Sequence, residues 1–130
     1  MADRASGTAI KEEQLYDGIS STLVFSSDSQ RVAYGARKGD KWVVVAGGKE
    51  QGPEHDAILK GTPVFSPDCK RIAYGAERAK KWFLVVDGNE GKEYDEIAEG
   101  SVVFSPDSKH VAYAVKQGKK WAVVKDGKES

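Results

Sequence analysis

The chain has 130 residues, room for one ordinary domain, with 39% hydrophobic and 31% charged side chains. Lys+Arg and Asp+Glu balance at 20 each, so net charge gives no reason to expect an acidic or a basic partner. A lone cysteine, Cys69, excludes an intrachain disulfide, no Cys or His cluster points to a metal or cofactor, and no stretch approaches the ~20 apolar residues of a membrane span.

Residues 1–12 read as a flexible N-terminal segment. Met1-Ala2-Asp3-Arg4-Ala5-Ser6-Gly7 lacks the basic and apolar regions of a signal peptide, which predicts a cytoplasmic chain, with a removed leader or a periplasmic parent as the alternative. Residues 13–20 hold a short strand, Leu15-Tyr16-Asp17-Gly18-Ile19. Its Asp-x-Ile signature returns at Asp56-Ala57-Ile58 and Asp95-Glu96-Ile97.

From residue 21 onward the chain is a threefold repeat. Val24-Phe25-Ser26-Ser27-Asp28-Ser29 returns as Val64-Phe65-Ser66-Pro67-Asp68-Cys69 and as Val103-Phe104-Ser105-Pro106-Asp107-Ser108, with phenylalanines 40 and 39 residues apart. A Tyr follows each Phe by nine residues (Tyr34, Tyr74, Tyr113), and a Trp follows each Tyr by eight (Trp42, Trp82, Trp121).

The second unit gives the pattern. Thr62-Pro63-Val64-Phe65-Ser66 is a short apolar run ending in a Ser-Pro-Asp turn. Arg71–Ala76 alternates large and small residues, as a strand with two different faces does. Lys81–Val86 is apolar on both faces, predicting a strand between two layers, and ends at Asp87-Gly88, suited to a type I′ hairpin. Glu93–Ile97 is short and charged, as an outer edge strand would be. Four antiparallel strands at a period near 40 residues predict an all-β fold of propeller blades: residues 21–59, 60–98 and 99–130. A β-solenoid would use shorter coils without tight hairpins.

The Ser-Pro-Asp turn followed by Arg-Ile-Ala-Tyr and an aromatic-led apolar strand resembles the WD40-like repeat of TolB-type propellers, over residues 13–129. Ser29, Cys69 and Ser108 stand where that family usually has Gly, and Ser27 stands in place of its Pro. The resemblance implies a module for protein–protein contact.

The last unit ends without an outer strand, and residues 13–20 supply a surplus one. Three blades do not close a ring, because known propellers have typically 4–8. The expectation is a homodimer of six blades, in which residues 13–20 complete the last blade of a partner chain. Leu15, Tyr16 and Ile19 of one copy would pair with Trp121, Val123 and Val124 of the other.

The turns between second and third strands are basic: Arg37, Lys38 and Lys41, then Arg78, Lys80 and Lys81, then Lys116, Lys119 and Lys120. They form a candidate anion-binding face, with an acidic opposite face and acidic outer strands expected from Glu50, Glu54, Asp56, Asp87, Glu90, Glu93, Asp95, Glu96 and Glu129. The competing explanation is that exposed turns collect Lys and Arg because they are solvated and discourage edge pairing. The three Trp read as core. Asp28, Asp68 and Asp107 read as turn caps, and Asp17, Asp56 and Asp95 as carboxylates that fix a hairpin to its neighbour. His55 and His110 read as surface substitutions rather than general bases. Small residues at the starts of the first strands, Ser21, Thr22, Thr62 and Ser101, would line a central channel. With no phosphate loop, ligand spacing or nucleophile elbow, the expected function is a non-catalytic binding or scaffold module without cofactors. The alternatives are a small-molecule or carbohydrate-binding protein or enzyme that uses the channel, and anionic-polymer binding through the basic face.

Overall fold

The computed structural model describes residues 15–20 and 22–129, which form β-strands and no helix, gathered into three antiparallel sheets. In the first sheet, β1 (Gly18–Ile19) and β2 (Val24–Phe25) lie end to end along β3 (Val32–Lys38), followed by β4 (Lys41–Ala46) and the short outer β5 (Lys49–Glu50). The second sheet repeats this with β6 (Ala57–Ile58), β7 (Val64–Phe65), β8 (Ile72–Arg78), β9 (Lys81–Val86) and β10 (Asn89–Glu90). The third has β11 (Glu96–Ile97), β12 (Val103–Phe104), β13 (Val111–Gln117), β14 (Lys120–Lys125) and β15 (Lys128–Glu129). Three such sheets fit three blades of a propeller-like fold.

The turns follow from the sequence. Asp87 and Gly88 both have positive φ, 52° and 85°, as do Gly47 with Gly48 and Asp126 with Gly127, the signature of a type I′ hairpin. In the Ser-Pro-Asp turn, Asp68 accepts from Ser66 Oγ at 2.6 Å and from the Lys70 amide at 3.0 Å. Asp28 and Asp107 repeat both contacts, which hold each of the three carboxyls below the usual range through the serine hydroxyl first and the backbone amide second. Ser29, Cys69 and Ser108 have φ of 63°, 67° and 65°, the left-handed region in which glycine is at ease. A glycine there, as in TolB-type repeats, would suit the same turn.

The Asp-x-Ile segments do not form outer strands. They straddle two sheets. Tyr94 bridges back to Trp82 of β9, while Glu96 and Ile97 pair forward with Lys116 and Val115 of β13. His55 likewise bridges to Trp42, and Ala57 and Ile58 pair with Glu77 and Ala76. The sheets therefore begin at residues 18, 57 and 96 rather than 21, 60 and 99. Ile19 pairs with Ala36 of β3. The third sheet carries its own outer strand, with Val124 paired to Glu129, and Val124 is fully buried.

The inner strand of each sheet is broken in two, and a hydroxyl spans the gap. Thr62 Oγ1 donates to Leu59 O at 2.6 Å and accepts from the Gly75 amide at 3.2 Å. Ser101 makes the same pair of bonds to Ala98 and Ala114, and Ser20 accepts from the Gly35 amide at 2.9 Å. Each hydroxyl supplies the partner that the interrupted ladder would otherwise leave missing. Gly75 is required at its position, because a Cβ there would stand 2.7 Å from Leu59 Cβ.

The core lies between sheets. Val44, Tyr74, Ala76, Phe83 and Val85 fill the junction of the first and second. Leu59, Leu84, Tyr94, Ile97, Val102 and Tyr113 are among those filling the junction of the second and third. Strand β9 is buried on both faces because it lies between two such layers, and β4 because Val44 faces the second sheet while Val43 and Val45 pack with Ala36, Tyr16 and Tyr34.

Candidate assembly interface

Each junction between sheets is built from the same repeat positions. Arg31 reaches from the first sheet to the Cys69 carbonyl of the second, with its guanidinium 5.0 Å from the Phe65 ring centroid. Arg71 reaches from the second sheet to the Ser108 carbonyl of the third at 3.0 Å, and lies 5.5 Å from the Phe104 ring centroid. Both are cation–π contacts of ordinary geometry. The turns also touch directly: Ser27 Oγ donates to Pro67 O at 2.7 Å, and Ser108 Oγ accepts from the Asp68 amide at 3.0 Å.

At the other end of the sheets, a carboxylate links neighbours. Asp56 accepts from the Ala79 amide at 3.0 Å in the turn of the second sheet, and pairs with Lys41 of the first. Asp95 accepts from the Gly118 amide at 2.7 Å and pairs with Lys81. Their lysines are the first cause holding both carboxyls below the usual range, the capped amides the second. Asp17 caps the corresponding turn through Gly39 at 2.6 Å. These aspartates do fix a hairpin to its neighbour.

Among the described residues the outward faces of the first and third sheets have no neighbouring sheet, yet on the first Ala36, Val43 and Val45 are fully buried, with Tyr16 and Tyr34 packed on them. Val123 is 49% exposed, whereas its counterparts Val44 and Leu84 are 0% and 2% exposed inside the junctions. Trp121 is 53% exposed, while Trp42 and Trp82 are half-buried, so the tryptophans sit at the margins of the core rather than within it. On the first sheet Ile19, Leu23 and Phe25 are exposed, Phe25 at 71%, where Phe65 and Phe104 lie beneath their arginines.

The basic turns are brought together with carboxylates. Lys38 pairs with Glu50 at 3.1 Å and Glu54 at 3.4 Å, Arg78 with Glu90 and Glu93 at 3.1 Å each, and Lys116 with Glu96 at 3.7 Å. Hydrogen bonds to these acids raise Lys38 and Arg78, and one to Asp56 raises Lys41. Arg37 donates to the Gly39 and Asp17 carbonyls. Lys80, Lys119 and Lys120 are exposed. Glu50, Glu90 and Glu129 lie on the outer strands as expected, while the acidic opposite face is corrected for Glu50, Glu54, Asp56, Glu90, Glu93, Asp95 and Glu96, which stand beside the cations. Such pairing screens the field that an anionic polymer would feel. Retention on a polyanion resin at physiological salt is expected to be negligible, and strong retention that falls steeply with salt would contradict it.

His110 is exposed, and its Nδ1 lies 2.5 Å from Asp126 Oδ2. His55 is not a surface residue. It is 4% exposed, between Tyr74 and Phe83, with ring centroids at 5.9 and 5.6 Å. Its Nε2 has no hydrogen-bond partner, and burial pushes its pKa below the usual value. Among the channel residues, Ser21 lies outside the described residues, and the hydroxyls of Thr62 and Ser101 are engaged by the inner-strand gaps. A cavity of about 320 Å³ is lined by Ile19, Thr22, Ile58, Leu59 and Thr62 among others, with no carboxylate among the described residues of its wall. Among the described residues no His, Cys, Asp and Glu cluster suits a metal ion, and no helix is long and apolar enough to cross a membrane.

The cross-sheet role of Arg31 and Arg71 was not read from the sequence. Its signal was present: each follows its Phe by six residues. No family model, curated protein or solved structure matches the chain.

Proposed function

We propose that this chain is a non-catalytic binding or scaffold module whose three sheets are propeller blades of the WD40-like, TolB type, closing with three blades of a second copy into a six-bladed ring. One observation carries the reading. Positions buried inside both junctions, Val44 and Leu84, recur as the half-exposed Val123 on the outermost face, beside exposed Trp121 and Val103. A contiguous apolar face of this kind marks an association surface. On the first sheet the exposed Leu23 and Phe25 would meet it, at the edge of a face whose Ala36, Val43 and Val45 are already buried with Tyr16 and Tyr34. A contact between two different faces is head-to-tail, and it closes when the rotation per copy divides a full turn. A protein partner is the ligand class that the resemblance to TolB-type repeats implies for such a ring.

Light scattering on a sizing column tests the assembly. A mass of twice 14.1 kDa, constant over a tenfold concentration range, is expected. A mass of 14.1 kDa, or one that climbs without limit as concentration rises, would overturn the closed ring.

A further inference from the structure

We infer that the cleft between the second and third sheets binds a small aromatic carboxylate with a polar group at its far end, Tyr113 serving as the donor at its floor and Lys109 as the cation at its rim. The cleft lies within one chain, so the site stands or falls independently of the ring.

The first junction shows the same place filled. There Tyr74 is buried, and its hydroxyl donates to Gln51 O at 3.0 Å. The Gln51 side chain folds back over the hairpin, Nε2 donating to Lys49 O at 3.1 Å and Ala46 O at 3.4 Å, and Ala46 is buried. The cleft that remains is polar, bounded by Arg31, Glu50, Lys70 and Asp87 among others. In the second junction Gly91 takes the place of Gln51. Its amide donates to Leu84 O at 2.8 Å, as the Gln51 amide donates to Val44 O at 2.7 Å. With no side chain there, Val86, the counterpart of Ala46, stays only half-buried. The connection from Gly91 to Tyr94 is also one residue shorter than that from Gln51 to His55. What results is a cleft of about 390 Å³ with Leu84, Val86, Val111 and Tyr113 in its wall, at the small end of the range for ligand pockets.

Two groups in this cleft are unspent. Tyr113 is 4% exposed, and its hydroxyl has no hydrogen-bond partner among the described residues. That hydroxyl opens beside Gly91, where an added Cβ would stand 3.7 Å from it. Burial pushes its pKa up to about 12, so it keeps its proton and can donate. A donor held this deep gains from any acceptor that reaches it. At the rim, Glu90 is paired with Arg78, Asp126 with His110, and Arg71 with Asp87. Lys109 is exposed and has no ion pair among the described residues. An idle donor at the floor, an apolar wall and a spare cation at the rim complement a molecule with an acceptor, an aromatic ring and a carboxylate, in that order.

4-Hydroxybenzoate has those three parts, and amide shifts in the NMR spectrum of the full chain read its binding. Saturable shifts are expected at Gly91, Val111 and Gly127, with a dissociation constant of about 1 mM, in keeping with so small a ligand. Benzoate, which lacks the acceptor, and the neutral methyl ester of 4-hydroxybenzoate should each bind about three- to tenfold more weakly. Tyr113→Phe should erase the preference for 4-hydroxybenzoate over benzoate, and Lys109→Gln the preference for the acid over its ester. Gly91→Gln should abolish the shifts by closing the cleft. Its Cβ would meet Leu84 O at 3.4 Å and the Tyr113 hydroxyl at 3.7 Å, both ordinary contacts, and the rest of its spectrum reports that it is folded. The site is wrong if the unaltered chain shows no saturable shift below about 10 mM ligand. It is equally wrong if Tyr113→Phe keeps the preference for the hydroxyl, or if Gly52 and Gly88 at the first cleft shift as strongly as Gly91 and Gly127.

Discussion

Phe83→Ala is expected to lower the free energy of unfolding by about 3–5 kcal/mol, the usual cost of emptying a fully buried aromatic site. Phe83 is 0% exposed and lies in the junction of the first and second sheets beside Val44, Tyr74 and Val85. The Arg78 guanidinium lies 4.5 Å from its ring centroid, and His55 meets its edge. Stability of an ordinary domain is about 5–15 kcal/mol, so the variant should sit near the edge of folding. Trp82→Ala, at a half-buried site on the rim of the other junction, should cost less than Phe83→Ala. Urea melts at fixed protein concentration measure both, and fixing concentration matters because association adds to apparent stability.

The next junction indicates how the cavity could be refilled. The residue aligned with Phe83 in the third sheet is Ala122, and there the linker residue is Tyr94 rather than His55. A large linker ring faces a small strand residue in one junction, and a smaller ring faces Phe in the other. Adding His55→Tyr to Phe83→Ala is therefore expected to recover at least about 1 kcal/mol, a coupling within the range seen for residues in contact. No recovery would mean that the two junctions do not trade volume in this way.

The strands that hold the core were legible because their signal is local. Lys81–Val86 is continuous apolar sequence between a turn and an Asp-Gly hairpin, and β9 spans those residues. The Asp-x-Ile segments misled for a physical reason. A two-residue strand with polar flanks has no periodicity that says which neighbour it pairs with, and these segments pair with both: Tyr94 behind, Glu96–Ile97 ahead. The break in the inner strand was equally hidden, because Thr62 and Ser101 look like channel-facing small residues until their bonds to Gly75 and Ala114 are seen. The charge pattern misled through distance. Lys41 and Asp56 are 15 residues apart in sequence but meet because the linker returns past the head of β4. His55 looked like a surface substitution because Tyr stands at the sister position. Its burial depends on Phe83, 28 residues later.

That burial gives the protein a stability that weakens on mild acidification. His55 is pushed below its ordinary pKa of 6.5, chiefly by loss of hydration. Glu90 and Asp56 favour the imidazolium, and Arg78 opposes it. The folded chain therefore holds His55 neutral at a pH where the unfolded chain protonates it. Stability is independent of this group above about pH 7 and falls as pH drops through 6.5, because the unfolded state then binds the extra proton. The fall is at most about 1.4 kcal/mol per pH unit, or about 2 kcal/mol by pH 5, and it ends once the folded state also protonates. The carboxylates titrate lower: Asp28, Asp56, Asp68, Asp95, Asp107 and Asp126 are all held below 3.8. The window between pH 7 and 5 thus lies above the titration of these carboxylates. His55→Phe keeps a ring between Tyr74 and Phe83 and removes both the unpartnered Nε2 and the titration. Urea melts from pH 7.5 to 5 should slope downward for the unaltered chain and stay level for the variant. A slope that persists in His55→Phe would assign the acid response to another group and overturn this account.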